Sequence, residues 1–429
     1  MSPAVRFPGS TRIFTSAHTD SRLVEPGGLF FALKGASTDG HRFVADAVAR
    51  GAAGLVVEQP VEVAGEVEVL EVPDTWAALY DLARRRLAEA KPIVVGITGS
   101  NGKTSTKEML AALLATRYRV LKTEGNLNTE TGVPLTILRI EPGVHEVVVL
   151  EMGMQGPGEI ARLAELARPS IGIVTGIGAV HIEFFESKEA IARAKGELPA
   201  ALPRDGLAIL NHDDPLTPIL RNLSSAPVIT FGLEGGDWHG TDYSAGTFSV
   251  RGVEIRLRLP GRHQARNALA ALAAADRLDV PPSVGAQLLP EVAVDRRLQS
   301  LEAPGGYLVV DDAYNASPES MLAAFDAIAE RPRQGRLLAV LGEMRELGPL
   351  AREAHLEVGR RAREVFDEVC VIDVGNGRIL AKAAGAELVP DKPAAARWVK
   401  ERAGEGDLVL VKASHGVALE DVVGELLHS

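Results

Sequence analysis

GITGSNGKTSTKEM, residues 96–109, follows the apolar run IVV and leads into LAALLATR. The common phosphate-binding spelling is a glycine, four residues, then Gly-Lys-Ser/Thr. Gly102, Lys103 and Thr104 supply the last three positions, but Ile97 stands where the first glycine belongs. A phosphate cradle needs inward-pointing backbone N–H groups, glycines that permit a tight bend, and a helix whose N-terminal dipole faces the anion. Here IVVGITG reads as the strand and KTSTKEMLAALL as the helix, with Gly99 and Gly102 in the bend. The displaced glycine breaks the generic pattern and leaves the mechanism intact. Gly99, Ser100, Asn101, Gly102, Lys103, Thr104 and Ser105 are therefore the candidate nucleotide loop, with Lys103 reaching the β- and γ-phosphates and the Thr104 hydroxyl ligating Mg²⁺.

The rest of the 429 residues fits an enzyme built around such a loop. At roughly 100–200 residues per domain, two to four domains are expected. Hydrophobic residues make up 46% and charged residues 24%, ordinary for a soluble globular chain. The net charge of −11 and the lack of any basic run argue against a nucleic-acid partner. No run reaches membrane-spanning length and the N-terminus lacks a signal-peptide core. The single cysteine, Cys370, suits a reducing compartment, so a cytoplasmic location is expected.

Residues 1–90 mix short strands (GGLFFAL, AAGLVVEQ) with an amphipathic helix, DTWAALYDLARRRLAEA. From Pro92, apolar runs (EVVVLEMG, SIGIVTG, LAILN, VITFG) alternate with stretches of helical period (GEIARLAELAR, KEAIARAKGEL). That alternation predicts a mostly parallel sheet covered by helices over 91–302. A second series, YLVVDDAY, RLLAVLGEM, EVCVIDVG and DLVLVKAS with intervening helices, predicts a smaller α/β unit over 303–429. The expected fold is α/β in three domains: a small mixed N-terminal domain, a central P-loop ATPase-like domain and a C-terminal Rossmann-like domain.

Three residues beyond the loop carry chemical interest. Glu151 ends the strand VVVL, where a nucleotide loop wants a carboxylate for its metal. His181 follows the strand IGIVTG, and Lys195 lies fourteen residues on, in a helix. A lone histidine after a strand and a lone helix lysine are most often structural or solvated, and by themselves these two would be read so.

GITGSNGKT resembles the loop of the Mur ligases, ATP-dependent amide-forming enzymes of peptidoglycan synthesis. Further segments are similar in family order: EGNLNTETGVPLT (124–136), LEMGMQGPGEI, TGIGAVHIEFFESKEAIARAKGE, NHDD (211–214), PGRHQARNALAA (260–271), DDAYNASPESM (311–321), VLGEMRELG (340–348) and LVKASHGVALE. Gly176, Gln264, Arg296, Ser317 and His415 depart from the family spelling; Lys103, Thr104, Glu151, His181 and Lys195 do not. TDSR (19–22) with KGASTDGHRF (34–43) resembles the family's uridine-nucleotide-binding N-terminal domain. The third-domain spellings resemble those of the member that joins D-alanyl-D-alanine to UDP-N-acetylmuramoyl-tripeptide.

The resemblance implies a mechanism. The peptide carboxylate attacks the γ-phosphate of ATP, ADP leaves, and the amine of D-alanyl-D-alanine displaces phosphate from the acyl phosphate. Lys103, Glu151, His181 and Lys195 are the expected catalytic set. Two Mg²⁺ sites are expected, with Thr104, Glu151, His181 and Lys195 as ligands, Lys195 as an N-carboxylysine. Asn267, Arg297, Asp311 and Asp312 are expected to meet ATP. Ser21, Arg22, Asp39, His41, Asn126, Asn128 and Thr129 are expected at the UDP-sugar-peptide substrate, and the enzyme is expected to be a monomer. Two alternatives are a sibling ligase, adding folate-linked or cell-wall amino acids with the same centre, and a nucleotide switch that binds ATP without ligating.

Overall fold

The computed structural model describes residues 4–35, 38–293, 298–331 and 333–428. Its helices and strands form four sheets. The first holds four short parallel strands, Ala17–His18, Leu29–Phe31, Gly54–Val57 and Glu68–Glu71, in that order. The helix Thr75–Ala90 closes this unit. Asp74 caps it by accepting the Ala77 N–H, and Leu79, Leu82, Ala83 and Arg86 fall on its buried face. That spacing is the helical repeat read from the sequence.

The central sheet has seven parallel strands in the order Trp238–His239, Val228–Gly232, Leu207–Asn211, Ile171–Val174, Ile93–Thr98, Val147–Glu151, Val120–Lys122. Strands covered on both faces are buried throughout, which is why VVVLE, IGIV and LAILN read as unbroken apolar runs. From Ile93–Thr98 the chain first crosses to one side of the sheet and then returns to the other. Such a reversal opens a ligand crevice outside the carboxyl ends of the strands. The candidate loop leaves Ile93–Thr98 at that point.

The loop's odd spelling now has a physical reason. Ile97 is fully buried inside the strand, paired with Glu151 on one side and Ile173 on the other. The chain turns two residues later, at Gly99, whose φ is 145°, and again at Gly102, whose φ is 85°. A Cβ at Gly99 would lie 1.9 Å from Thr175 Oγ1, and one at Gly102 would lie 2.3 Å from Asn267 Oδ1. The helix Lys103–Leu114 starts directly after and packs on Arg262–Arg277.

A three-stranded antiparallel sheet, Thr241–Ser244, Thr247–Val250 and Val253–Arg256, follows the central sheet and was not expected. The C-terminal sheet has the order Gln299–Glu302, Leu308–Asp311, Leu408–Lys412, Leu337–Leu341, Glu368–Ile372, Glu387–Val389. Its first strand is antiparallel to the second and the others run parallel. Gln299–Glu302 pairs with Leu308–Asp311, so the expected limit at 302/303 falls within a hydrogen-bonded hairpin.

Gly102→Ala is expected to cost about 1–2 kcal/mol from the left-handed backbone alone. The collision with Asn267 adds to this and displaces the loop. Thermal unfolding reads the first effect and calorimetric titration with ADP the second. Unchanged ADP affinity in a folded variant would contradict the cradle.

Candidate active site

Four elements converge at the crevice. The loop Gly99–Gly102 is stitched to the segment after Ile171–Val174: the Ser100 N–H donates to the Gly176 carbonyl at 2.9 Å, and the Gly178 N–H to Ser100 Oγ at 2.8 Å. Thr175 Oγ1 donates to the Asn101 carbonyl at 2.5 Å. Lys103 Nζ folds back onto the Gly99 and Ser100 carbonyls at 2.8 and 3.3 Å.

Glu151, at the end of its strand, is 3% exposed and fully engaged. Thr104 Oγ1 donates to Oε2 at 3.0 Å and Asn128 Nδ2 to Oε1 at 2.8 Å. The nearly buried Lys107 ammonium stands 3.7 Å from Oε2 and 3.3 Å from Glu108. Thr104 and Glu151, expected as ligands of one Mg²⁺, are in direct contact. Lys107 was not foreseen, although its spacing of four from Lys103 puts both on one helix face.

Lys195 sits in the last turn of the helix Lys188–Lys195, which Ser187 caps through the Ala190 N–H. It is 3% exposed. Burial pushes its amine well below the usual lysine range, and the Lys103 charge pushes it further the same way. His181 has a left-handed φ of 64°, and burial lowers its imidazole, against the raising effect of Glu346. Glu346 Oε2 lies in contact with His181 Nδ1, but the alignment is not that of a hydrogen bond.

Two cavities meet at the loop, which forms a wall of both. The larger, about 580 Å³, has Lys103, Thr104, Glu151, His181 and Lys195 together on its surface, with Asn128 and Thr129. Trp76 from the N-terminal unit and Tyr314 and His415 from the C-terminal unit complete it. The smaller, about 270 Å³, lies on the other face of the loop and is lined by Ser105, Asn267, Asp312 and His263. Asn267 is 7% exposed and Asp312 6%. The buried Lys412 ammonium holds Asp312 at 2.6 Å. Burial, helped by the charges of Arg266 and Lys412, pushes the His263 imidazole down to about 3, so the ring is neutral.

Other expected residues stand elsewhere. Asp311 lines neither cavity; its Oδ1 accepts the Ala313 N–H at 3.0 Å, closing the turn that carries Asp312. Asn126 is exposed and lines neither. Arg297 lies outside the described residues. In the N-terminal unit Ser21 is buried, while the Arg22 side chain is 82% exposed and grips Asp20. His41 is held from both sides. Its Nδ1 faces Asp39 Oδ1 at 2.7 Å and its Nε2 accepts the Glu58 N–H at 2.9 Å. Both ring nitrogens have partners within the chain, so Asp39 and the Glu58 N–H hold the ring in place.

Sequence reasoning left two further residues without roles. Asp214 Oδ2 accepts the Ile177 N–H at 2.5 Å, fixing the segment behind the loop. Glu319 crosses from the C-terminal unit to accept the Ala179 N–H at 3.0 Å and to pair with Lys188 at 3.2 Å. The NHDD and SPESM segments were noted, but which carboxylate faces which backbone depends on long-range packing.

Comparison with known proteins agrees with this architecture. The Mur ligase family catalytic-domain profile matches residues 14–118, the Mur ligase middle domain 97–275, and the Mur ligase glutamate ligase domain 296–415. The UDP-N-acetylmuramoyl-tripeptide–D-alanyl-D-alanine ligase of Bacillus subtilis is 39% identical over 96% of this chain and 93% of its own. MurF from Acinetobacter baumannii superposes with a TM-score of 0.87 at 30% identity, covering 98% of this chain and 95% of that one. MurF ligase from Thermotoga maritima, solved in complex with ADP, gives 0.83 at 33% identity over 96% of each. With its three domain matches in order and full-length relatives at this identity, the chain belongs to the Mur ligase family.

Proposed function

We propose that this chain joins D-alanyl-D-alanine to UDP-N-acetylmuramoyl-tripeptide at the expense of ATP, a step in making peptidoglycan precursor. The full-length relatives bear that activity in their names and one was solved with ADP. The observation that carries the reading is the larger cavity. A phosphate loop, a carboxylate bonded to its threonine, a histidine and a buried, easily neutralised lysine all face one space. A nucleotide switch has no use for the last two.

The units divide the work. We assign residues 1–90 to the UDP end of the substrate, the central unit to about residue 298 to ATP and the acyl centre, and the remainder to ATP closure and the incoming dipeptide. Arg22, mostly exposed, is the substrate contact of the first unit, since a guanidinium suits a diphosphate by bidentate bonding. The smaller cavity takes the nucleoside, with Asn267 and Asp312 as its polar contacts. Asn128 and Thr129 border the tripeptide. Both cavities are built by one chain, which fits a monomer, and the lone buried Cys370 fits a cytoplasmic setting.

Two anions must meet for phosphoryl transfer, so positioning and charge neutralisation dominate. Lys103, released from the loop carbonyls, lies along the β- and γ-phosphates. The buried donor set fits Mg²⁺: Thr104 and Glu151 would hold one ion, and His181 with an N-carboxylated Lys195 a second. Bound Mg²⁺ would screen the phosphates and the attacking carboxylate from one another. The lowered Lys195 amine is the form that adds carbon dioxide, and the resulting carbamate replaces a cation with an anionic oxygen ligand. The loop wall between the cavities then presents the γ-phosphate to the peptide carboxylate. The acyl phosphate so formed is attacked by the dipeptide amine entering from the Tyr314 and His415 side.

Incubation with ATP, Mg²⁺ and UDP-N-acetylmuramoyl-tripeptide should release phosphate with D-alanyl-D-alanine and yield the pentapeptide by mass. Release with diaminopimelate, lysine or glutamate instead would move the chain to a sibling ligase. Lys195→Ala should lower kcat by about 10²–10³, the usual range for losing one preorganised charge-stabilising group, while ADP binding changes little. Intact mass of the native chain in bicarbonate should show one added carbon dioxide that this variant lacks.

The same lysine predicts a pH signature. Its folded value lies below the ordinary one, so in the window between them the unfolded chain binds the extra proton. The cost of burying the amine is complete below the folded value and fades as pH rises toward 10.5. In carbonate-free buffer Lys195→Met should therefore melt higher than the parent chain at neutral pH, by a margin that shrinks as pH rises. A margin that grows with pH would reverse the assignment.

A further inference from the structure

His181 and Glu346 face each other from different units, and both hold strained backbones: φ is 64° at His181 and 60° at Glu346. A non-glycine residue in that region costs about 1–2 kcal/mol, so two opposed examples need surroundings that enforce them. The loops carrying them are in register. The Glu183 N–H donates to the Glu346 carbonyl at 3.4 Å, and Gly348, with φ 47°, comes so near Glu183 that a Cβ there would lie 3.1 Å from the Glu183 Cβ. Glu346 Oε2 touches His181 Nδ1, which is shut off from solvent. His181 borders the larger cavity, and with Nδ1 against Glu346, Nε2 is the ring nitrogen available to a ligand there.

We propose that Glu346 is a positioning residue for His181, supplied from the C-terminal unit, which sets the ring so that Nε2 meets a divalent cation only when that unit is docked. This rests on the metal reading of His181 above. The residues suit it: a ligating imidazole commonly donates its other N–H to a carboxylate, which fixes tautomer and ring orientation. The site is then assembled from two units at once. The central unit holds the ligand, and the C-terminal unit brings the group that aims it. Domain docking and metal binding become two descriptions of one equilibrium, each favouring the other by the same factor.

Mn²⁺ binding to the full chain, in bicarbonate with a non-hydrolysable ATP analogue and followed by the paramagnetic resonance of free Mn²⁺, tests this without turnover. Glu346→Ala should weaken the weaker Mn²⁺ site by about 10–100-fold, the usual cost of removing such an outer partner. Glu346→Gln, whose amide oxygen can accept from Nδ1–H once the ring turns toward it, should keep most of the affinity. In a His181→Ala background Glu346→Ala should cost nothing more. An equal loss in that background, or an unchanged site in a folded Glu346→Ala chain, overturns the proposal and leaves the metal role of His181 standing. If His181→Ala itself binds Mn²⁺ as the parent does, the metal reading fails, and this inference with it.

Discussion

Everything around the crevice is arranged about a backbone bend that has no room for a side chain. Gly99 presses on Thr175 and Gly102 on Asn267, each closer than a Cβ allows. Those two contacts lock the turn against the neighbouring strand on one side and against Arg262–Arg277 on the other. The helix from Lys103 therefore starts at one place and one angle. Its N–H groups and dipole face the crevice, and the loop becomes a partition with a cavity on each face. Ile97 is free to be a core strand residue because the bend has been moved beyond it. The unusual spelling is a longer strand, not a weaker cradle.

A second constraint is charge. Lys103, Lys107 and Lys195 are gathered near one buried carboxylate, Glu151, and among the described residues no carboxylate pairs with Lys195. Burying an unpaired ammonium is among the most expensive acts in a fold, and the usual escape is loss of the proton. The direction of the Lys195 shift is that escape. The same gathering of cations makes the site receptive to polyanions. The stability given up at Lys195 is consistent with the strain at His181 and Glu346, since residues forced into costly states cluster where chemistry is done.

Much of this was legible in the chain. Strands covered on both faces, such as Val147–Glu151 and Leu337–Leu341, announce themselves as apolar runs, and helices such as Glu159–Ala167 by their period. The loop could be read because its chemistry is local. What escaped is short or non-local. Ala17–His18, Trp238–His239 and the antiparallel strands over 241–256 are too brief or too mixed to stand out. The helices Gly377–Ala384 and Glu420–Leu427 were passed over for the same reason. The hairpin from Gln299 was missed because pairing partners are not written in either strand alone. At the site, His41 shows the limit in one residue. Its type and neighbourhood suggest a ligand contact, and only the positions of Asp39 and the Glu58 N–H reveal that both nitrogens are taken.

The larger cavity takes its walls from Trp76, from the loop at 99–104, and from Tyr314 and His415. Those parts are separated by most of the chain's length. During synthesis the nucleotide loop can form its local contacts early, but the acceptor chamber has no far wall until residues past 415 have left the ribosome. The smaller cavity is in the same position, since Asp312 and Lys412 line it, so a partly made chain has neither chamber closed. Topology therefore completes both chambers together, near the end of synthesis.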